Sequence, residues 1–327
     1  MQVAPLILLL CAPRESGGQR HGPLAATWAA HGSRYEISVD GTAWLRSAPV
    51  RIFASGQWFS AAPSSVHEQQ LQYRSQRSWT GHDALGAFSA TSVEWGAGDV
   101  PLLTQTRMYQ NDSAGAARLV FEQELPLGAI GTQSERSCAN NLEQCDPKHP
   151  PPVRPVVSFP SFAVGGSEPS ERMSWLTWYG TQIDHAAGTG LSTIGDKGYK
   201  NAHEMFGLTA GPIALFDASS SEEGWCSVVS AWPDRHVRLA TSHRANNSIG
   251  FGVSSELPSL PVGFVHRTLF VVAKGLTQTM GSWGATAQRA AAMSAAEHSR
   301  KQGRQLSCRL CRTLRGSARH WRQWIRR

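Results

Sequence analysis

Long hydrophobic runs, cysteines and, toward its C-terminal end, acidic residues are what this 327-residue sequence has least of, and each shortage removes a class of protein. No apolar stretch reaches the roughly 18 residues that a membrane helix needs. The longest, Val3 to Pro13 around Leu6-Ile7-Leu8-Leu9-Leu10, has the length of a signal-peptide core. No Lys or Arg precedes it and the small-residue site at Cys11-Ala12 is a poor one, so export and the buried start of a strand both stay open; secretion is carried forward as an expectation. Six cysteines spread over this length do not make a disulfide scaffold. Cys138 and Cys145 would pair in an exported chain, and Asn111-Asp112-Ser113 and Asn246-Asn247-Ser248 match the glycosylation pattern of the same compartment. Residues 300–327 hold ten of the 31 Lys and Arg and none of the 24 Asp and Glu. The formal net charge of +7 therefore belongs to the tail, because residues 1–299 carry 21 basic against 24 acidic side chains, a net of −3. Nucleic acid is not an expected partner of the fold, and the basic tail, which includes Trp321 and Trp324, is expected to be disordered.

Several catalytic and cofactor motifs are also missing. Gly190-Leu191-Ser192-Thr193-Ile194-Gly195-Asp196-Lys197 has the look of a phosphate loop, but Asp196 separates the last Gly from the Lys and no Ser or Thr follows. His203-Glu204 lacks the second His of a zinc helix, Cys308 and Cys311 are half a zinc site with no other half, and no Gly-x-Ser-x-Gly elbow is present. No cofactor, metal site or catalytic residue is expected on these residues.

What the sequence has in abundance is short alternating segments. Arg34 to Val39 and Thr42 to Leu45 flank Asp40-Gly41, a pair that reads as a type I′ hairpin turn because both central residues of that turn need positive φ. Val50 to Phe53 and Gln57 to Phe59 flank Ala54-Ser55-Gly56 as a second hairpin, and Leu71 to Arg74 resumes the pattern before a turn expected at Gly81. Ala87–Trp95, Leu102–Tyr109 and Arg118–Leu125 then form a meander whose apolar residues alternate with Thr, Gln, Arg and Glu, so one face packs inward and the other meets water. A Pro-rich loop, 126–154, leads to Val156–Phe162, Trp175–Gly180 and Gly211–Asp217, and strands follow at Trp225–Ser230, Val237–Thr241, Ser248–Val253 and Gly263–Ala273. Roughly a dozen strands with no intervening helices predict an all-β fold, a large two-sheet antiparallel sandwich. From Leu276 the period changes: Met280, Trp283, Ala287 and Ala291 mark the apolar face of a helix over 276–299. The expected organisation is an N-terminal segment at 1–29, a sandwich at 30–275, the helix, and the tail at 300–327.

The order of these short motifs resembles a known family. Tyr35-Glu36-Ile37-Ser38-Val39-Asp40-Gly41, the meander, Phe159-Pro160-Ser161-Phe162, Leu176-Thr177-Trp178, Gly211 to Asp217, and Lys274-Gly275-Leu276-Thr277 running into Ser282-Trp283-Gly284 are similar to the N-terminal β-supersandwich, galactose-mutarotase-like, of glycoside hydrolases of the α-galactosidase and raffinose-synthase type. In that family the sandwich precedes a (β/α)₈ barrel that carries the two catalytic carboxylates. The resemblance runs from about Arg34 to Ala291 and leaves no barrel, so no paired carboxylates carry over. It implies a non-catalytic sandwich that supports or binds carbohydrate, with a C-terminal barrel as partner if the gene product is longer. The alternatives are a stand-alone carbohydrate-binding module or an interaction scaffold.

Sugars are held by rings that stack on the apolar face of a pyranose and by Asp, Asn or His that bond its hydroxyls. The residues of that kind lie where the central strand gives way to polar sequence: Trp178 and Tyr179, then Asp184, His185, Asp196 and His203 within Thr181–Ala210. This thirty-residue stretch, with Gly188, Gly190, Gly195, Gly198 and Gly207, reads as a functional loop. In an alternating strand Trp175 and Tyr179 share one face and Trp178 takes the other.

Overall fold

The computed structural model describes residues 16–133, 155–179, 184–194, 212–217, 224–233, 240–245 and 247–295, apart from 22, 30, 31, 33 and 112–114. Within them the chain is built of strands, with short 3-10 turns at Pro169–Arg172 and Leu191–Thr193, until one α-helix. The first sheet holds β1 (Ser16–His21), β2 (Leu24–Trp28), β3 (Tyr35–Val39) and β4 (Thr42–Arg46) in that order. Among the described residues the first strand starts at Ser16, inside the segment the sequence set apart as 1–29. Next come β5 (Arg51–Ala54), β6 (Gln57–Ser60) and β7 (Glu68–Gln70), followed by the long strands β8 (Gln72–Asp83), β9 (Gly86–Ala97), β10 (Val100–Tyr109) and β11 (Ala117–Leu125). After β12 (Ala129–Ile130), the expected strand Val156–Phe162 is split at the cis Phe159–Pro160 peptide into β13 (Val157–Ser158) and β14 (Ser161–Ala163). The remaining strands are β15 (Met173–Tyr179), β16 (Asp184–Thr189), β17 (Ile213–Asp217), β18 (Trp225–Ala231), β19 (Ala240–Ala245), β20 (Ser248–Val253), β21 (Ser259–Leu260) and β22 (Phe264–Lys274). The helix α1 covers 276–295.

Nine of these strands make one antiparallel sheet in the order β16-β15-β17-β18-β22-β11-β10-β9-β8. The smaller sheets, β1 to β4, β13-β5-β6-β7 and β14-β20-β19, supply the opposing layer. Both hairpin turns have the geometry their residues predict: Asp40 and Gly41 at φ 50° and 77°, Ser55 and Gly56 at φ 53° and 77°. Gly81 is not a turn. The strand β8 runs through it to Asp83, and the ring of Phe88 lies where a Cβ on Gly81 would be, 2.6 Å away, so glycine is needed there for close packing.

Because side chains alternate, the nine-stranded sheet has two unlike faces. Phe121, Met108, Val93, Trp95, Trp175, Leu215, Val229 and Phe270 point inward and join Tyr35, Phe159 and Phe162 from the other layer in the main core. Phe121 is the hub of an aromatic cluster, its ring 5.6 Å from Tyr35, 5.6 Å from Phe159 and 6.2 Å from Phe162. A second, smaller cluster on the outer face gathers Leu85, Tyr109, Val120, Trp232, Leu269, Val271 and Ala273 under Ala290 of α1.

The helix falls where it is expected, but its buried side is one residue off the predicted stripe. Thr279, Thr286 and Ala290 are buried, with Trp283 packed beside them, while Met280 and Ala287 are only half-buried and Ala291 is exposed. Threonine enters this interface because its hydroxyl bonds back into the helix: Thr279 Oγ1 donates to the Gly275 carbonyl at 2.8 Å and Thr286 Oγ1 to that of Ser282 at 2.7 Å. Two indoles anchor the docking, Trp283 Nε1 donating to Ser230 Oγ (2.8 Å) and Trp232 Nε1 to Ser294 Oγ (3.2 Å).

Candidate functional site

The sequence-predicted residues divide between a hairpin and segments outside the described residues. Trp178 and Tyr179 end β15, and Asp184 and His185 begin β16, its neighbour at the margin of the large sheet. The register sets Trp178 opposite His185 and Tyr179 opposite Asp184, so these four are adjacent along the backbone. Asp196 and His203 lie outside the described residues, as do Cys138, Cys145 and the tail. The expected thirty-residue loop is shorter than its sequence implies, since 184–189 is strand. Asp184-His185-Ala186-Ala187-Gly188-Thr189 has little intrinsic strand propensity, and pairing with β15 imposes the extended state.

Local packing explains why the following residues look loop-like yet are fixed. Trp175 is fully buried and its Nε1 donates to Thr193 Oγ1 (3.0 Å) and the Gly190 carbonyl (3.2 Å). Its indole covers Gly188 so closely that a Cβ there would sit 2.9 Å from the ring. Leu191 and Ile194 drop into the main core, and the Glu171 carboxylate receives the backbone N–H groups of Gly165 (2.8 Å) and Ser192 (3.1 Å) together with the Ser192 hydroxyl. Residues 190–194 of the phosphate-loop lookalike therefore form a packed turn, and 195–197 lie outside the described residues.

Sequence reasoning missed a second group of polar residues, on the outer face beside α1. One row crosses five strands in register: Arg77, Ser92, Gln105, Glu122 and Arg267. Each reads in sequence as the solvent side of an amphipathic strand, and only strand order brings them together. Glu122, its side chain 7% exposed, accepts from Arg107 Nη2 through both oxygens (3.2 and 3.1 Å) and from Arg267 Nε (2.5 Å). Gln105, with its amide oxygen turned to Arg107, accepts from Nε and Nη2 at 2.5 and 3.2 Å. Arg107 also faces Asp83 at 3.6 Å, and Asp83 in turn accepts the Tyr109 hydroxyl at 2.8 Å. Burial first, and then the Asp83 carboxylate, push the Tyr109 phenol well above the ordinary tyrosine range.

Aromatic rings border this network. Arg267 lies over Trp232 (5.7 Å), Arg107 over Phe88 (5.5 Å) and Arg77 over Trp79 (5.0 Å). Beyond the reach of α1, toward β8, the face opens into a pocket of about 300 Å³ between Ser75, Arg77, Ser92, Glu94, Leu103 and Pro126. That is the lower end of the ~300–1,000 Å³ range of small-ligand sites. Its polar groups hold one another loosely: Arg77 Nε donates to Ser92 Oγ at 3.4 Å, Ser75 Oγ to Glu94 Oε2 at 3.3 Å, and Arg74 pairs with Glu94 at 3.7 Å. Such contacts are long enough to be exchanged for a ligand's hydroxyls. Among the described residues no three His, Cys, Asp or Glu side chains are grouped to hold a metal ion, and no helix is long and apolar enough to cross a membrane.

No protein-family model and no curated protein sequence matches the chain. Among solved structures it is similar to the alpha-N-acetylgalactosaminidase NagBb from Bifidobacterium bifidum in its GalNAc complex, with a TM-score of 0.49 and 12% identity over 84% of this chain and 39% of that one. It is similar also to the GH36 alpha-galactosidase AgaA from Geobacillus stearothermophilus (TM-score 0.41, 10% identity, 79% and 40% covered) and to the galactose 1-epimerase from Lactobacillus acidophilus NCFM (TM-score 0.33, 11% identity, 79% and 93% covered). The chain spans about two fifths of the length of those glycosidases, and its described residues form an all-β sandwich with one α-helix.

Proposed function

We propose that this chain is the non-catalytic, N-terminal β-sandwich portion of a glycoside-hydrolase-like protein and that it binds carbohydrate. The observation that carries the reading is the open half of the outer face, where Arg77, Glu94, Ser92 and Ser75 surround a pocket of about 300 Å³ with an apolar floor at Leu103 and Pro126. A pyranose presents an apolar ring face and a rim of hydroxyls, and that pairing matches a floor of aliphatic groups with guanidinium, carboxylate and hydroxyl side chains at its edge. The hairpin β15–β16, with Trp178, Tyr179, Asp184 and His185, offers residues of the same chemistry at the opposite margin of the sheet. Glu122, the most enclosed carboxylate on the face, has both oxygens committed to guanidiniums, a geometry that suits a fixed wall better than a group that must take up a proton.

A glycan array followed by calorimetry tests this. The expected result is affinity for galactosides or glucosides, reduced by Glu94→Gln, with no turnover of an aryl glycoside. Hydrolysis abolished by one Asp or Glu substitution would show a catalytic chain instead. An absence of glycan binding would leave an interaction scaffold.

A further inference from the structure

At one margin of the nine-stranded sheet lies β8, twelve residues paired with β9 from Gln72↔Gly96 to Asp83↔Gly86, and among the described residues no strand pairs its other side. Edge strands are usually blunted by shortness, proline, outward lysine or bulges, because a free row of N–H and C=O groups is a template for another strand. The sequence of β8, Gln-Tyr-Arg-Ser-Gln-Arg-Ser-Trp-Thr-Gly-His-Asp, has neither Pro nor Lys, and its one irregularity falls between Tyr73 and Ser75, which leaves Gln76 to Asp83 regular. The charges that would protect it are turned back onto the sheet. Arg74 lies over Gly96, where a Cβ would meet its Nε at 2.8 Å, and pairs with Glu94; Arg77 lies on Trp79 and donates to Ser92.

We propose that β8 is an association edge for a second copy of this chain, paired antiparallel about a two-fold axis that passes midway between the two copies of Ser78. An axis perpendicular to the sheet keeps both outer faces on the same side, so only registers that oppose residues of like parity are allowed. The register centred one residue earlier, on Arg77, sets two guanidiniums against each other. The Ser78 register sets Arg77 against Trp79 of the second copy, a cation against the kind of ring it already covers in its own strand, and Gln76 against Thr80, with no like charges opposed in either pair. Ser75 and Arg77 of the pocket then lie beside the junction, and the outer faces of the two copies become continuous.

Sedimentation equilibrium of the full chain tests the proposal. The expected result is a concentration-dependent dimer. Gln76 is half-buried and Thr80 exposed, so substitution there leaves the fold intact, which an unchanged melting temperature checks. Gln76→Lys with Thr80→Lys opposes lysines in both symmetry-related pairs and should give a monomer at the same concentration. Gln76→Glu with Thr80→Lys opposes unlike charges and should restore the dimer. A full chain that stays monomeric, or a dimer indifferent to the double lysine variant, overturns the proposal.

Discussion

Phe121 and Glu122 are neighbours in β11, yet they belong to opposite faces of the sheet and are held by different physics. Phe121 is fully buried among Tyr35, Phe159 and Phe162, where shape and area decide its worth. Glu122 is nearly as enclosed, but by Arg107 and Arg267, and its stability contribution depends on both guanidiniums staying in place. The inner face is held mainly by apolar residues of suitable volume, with a few buried polar groups such as Gln123, Thr104 and His266 paired among them. The outer face needs particular residue types in a particular strand order, because a carboxylate enclosed between guanidiniums is costly once either partner is lost.

The contrast breaks most visibly on the inner face. Phe121→Ala should cost about 3–5 kcal/mol, the usual range for emptying an aromatic core position, and urea unfolding should show a lower midpoint. A loss below about 1 kcal/mol would mean that the aromatic cluster repacks. On the outer face, Glu122→Gln removes the carboxylate that Arg107 and Arg267 share, while Arg107 keeps Asp83 at 3.6 Å. Because Arg107 and Arg267 keep 22% and 19% of their side-chain surface in water, the expected cost is about 2–3 kcal/mol, short of the ~3–5 of a fully buried broken pair. Replacing all three together, Arg107→Met, Glu122→Leu and Arg267→Met, should recover most of that loss. A triple variant less stable than Glu122→Gln would show that the network stabilises the sandwich rather than shaping its surface.

A gentler probe is pH. Tyr109 is held neutral by burial and by Asp83, and the wholly buried Tyr35 by burial, so both phenols titrate above the ordinary value of 10. The sign follows directly: for an acid whose folded pKa is raised, the stabilising contribution is complete below pH 10 and falls as pH climbs above it, since the unfolded chain releases the proton first. Tyr109→Phe should lower stability at neutral pH by about 1 kcal/mol through the lost hydrogen bond to Asp83, and it should flatten the alkaline decline. Tyr35 would supply the slope that remains. An unchanged alkaline limb in melting curves would assign that slope to other groups.

The fold was legible where chemistry is local. Asp40-Gly41 and Ser55-Gly56 are turns because positive φ at two successive positions restricts which residues serve there. The meander β9–β10–β11 is written in its alternation. Legibility ended where neighbours decide. Gly81 carries a turn signal but lies in a strand because Phe88 needs its space; β16 has no strand signal but is extended because β15 pairs with it. The row Arg77–Ser92–Gln105–Glu122–Arg267 was invisible for a third reason, since its members are spread over 190 positions of sequence and meet only through the order of strands.

The smallest stability effect is expected at the β15–β16 hairpin, and it sharpens the comparison most. Asp184 and His185 sit on the marginal strand of the sheet, opposite Tyr179 and Trp178, and contribute to the ladder through their backbone. Alanine keeps that backbone, so Asp184→Ala with His185→Ala should lower the melting temperature by no more than a few degrees, about 1 kcal/mol for a domain of this size. If this margin contacts sugar, as its pairing of Trp and Tyr with Asp and His suggests, the same variant should weaken glycan binding severalfold, while Glu94→Gln weakens it at the opposite margin. Binding unchanged in the double alanine variant but lost in Glu94→Gln would confine carbohydrate recognition to the pocket beside β8. A large loss of stability with binding retained would show that Asp184 and His185 hold the hairpin together instead of serving a ligand.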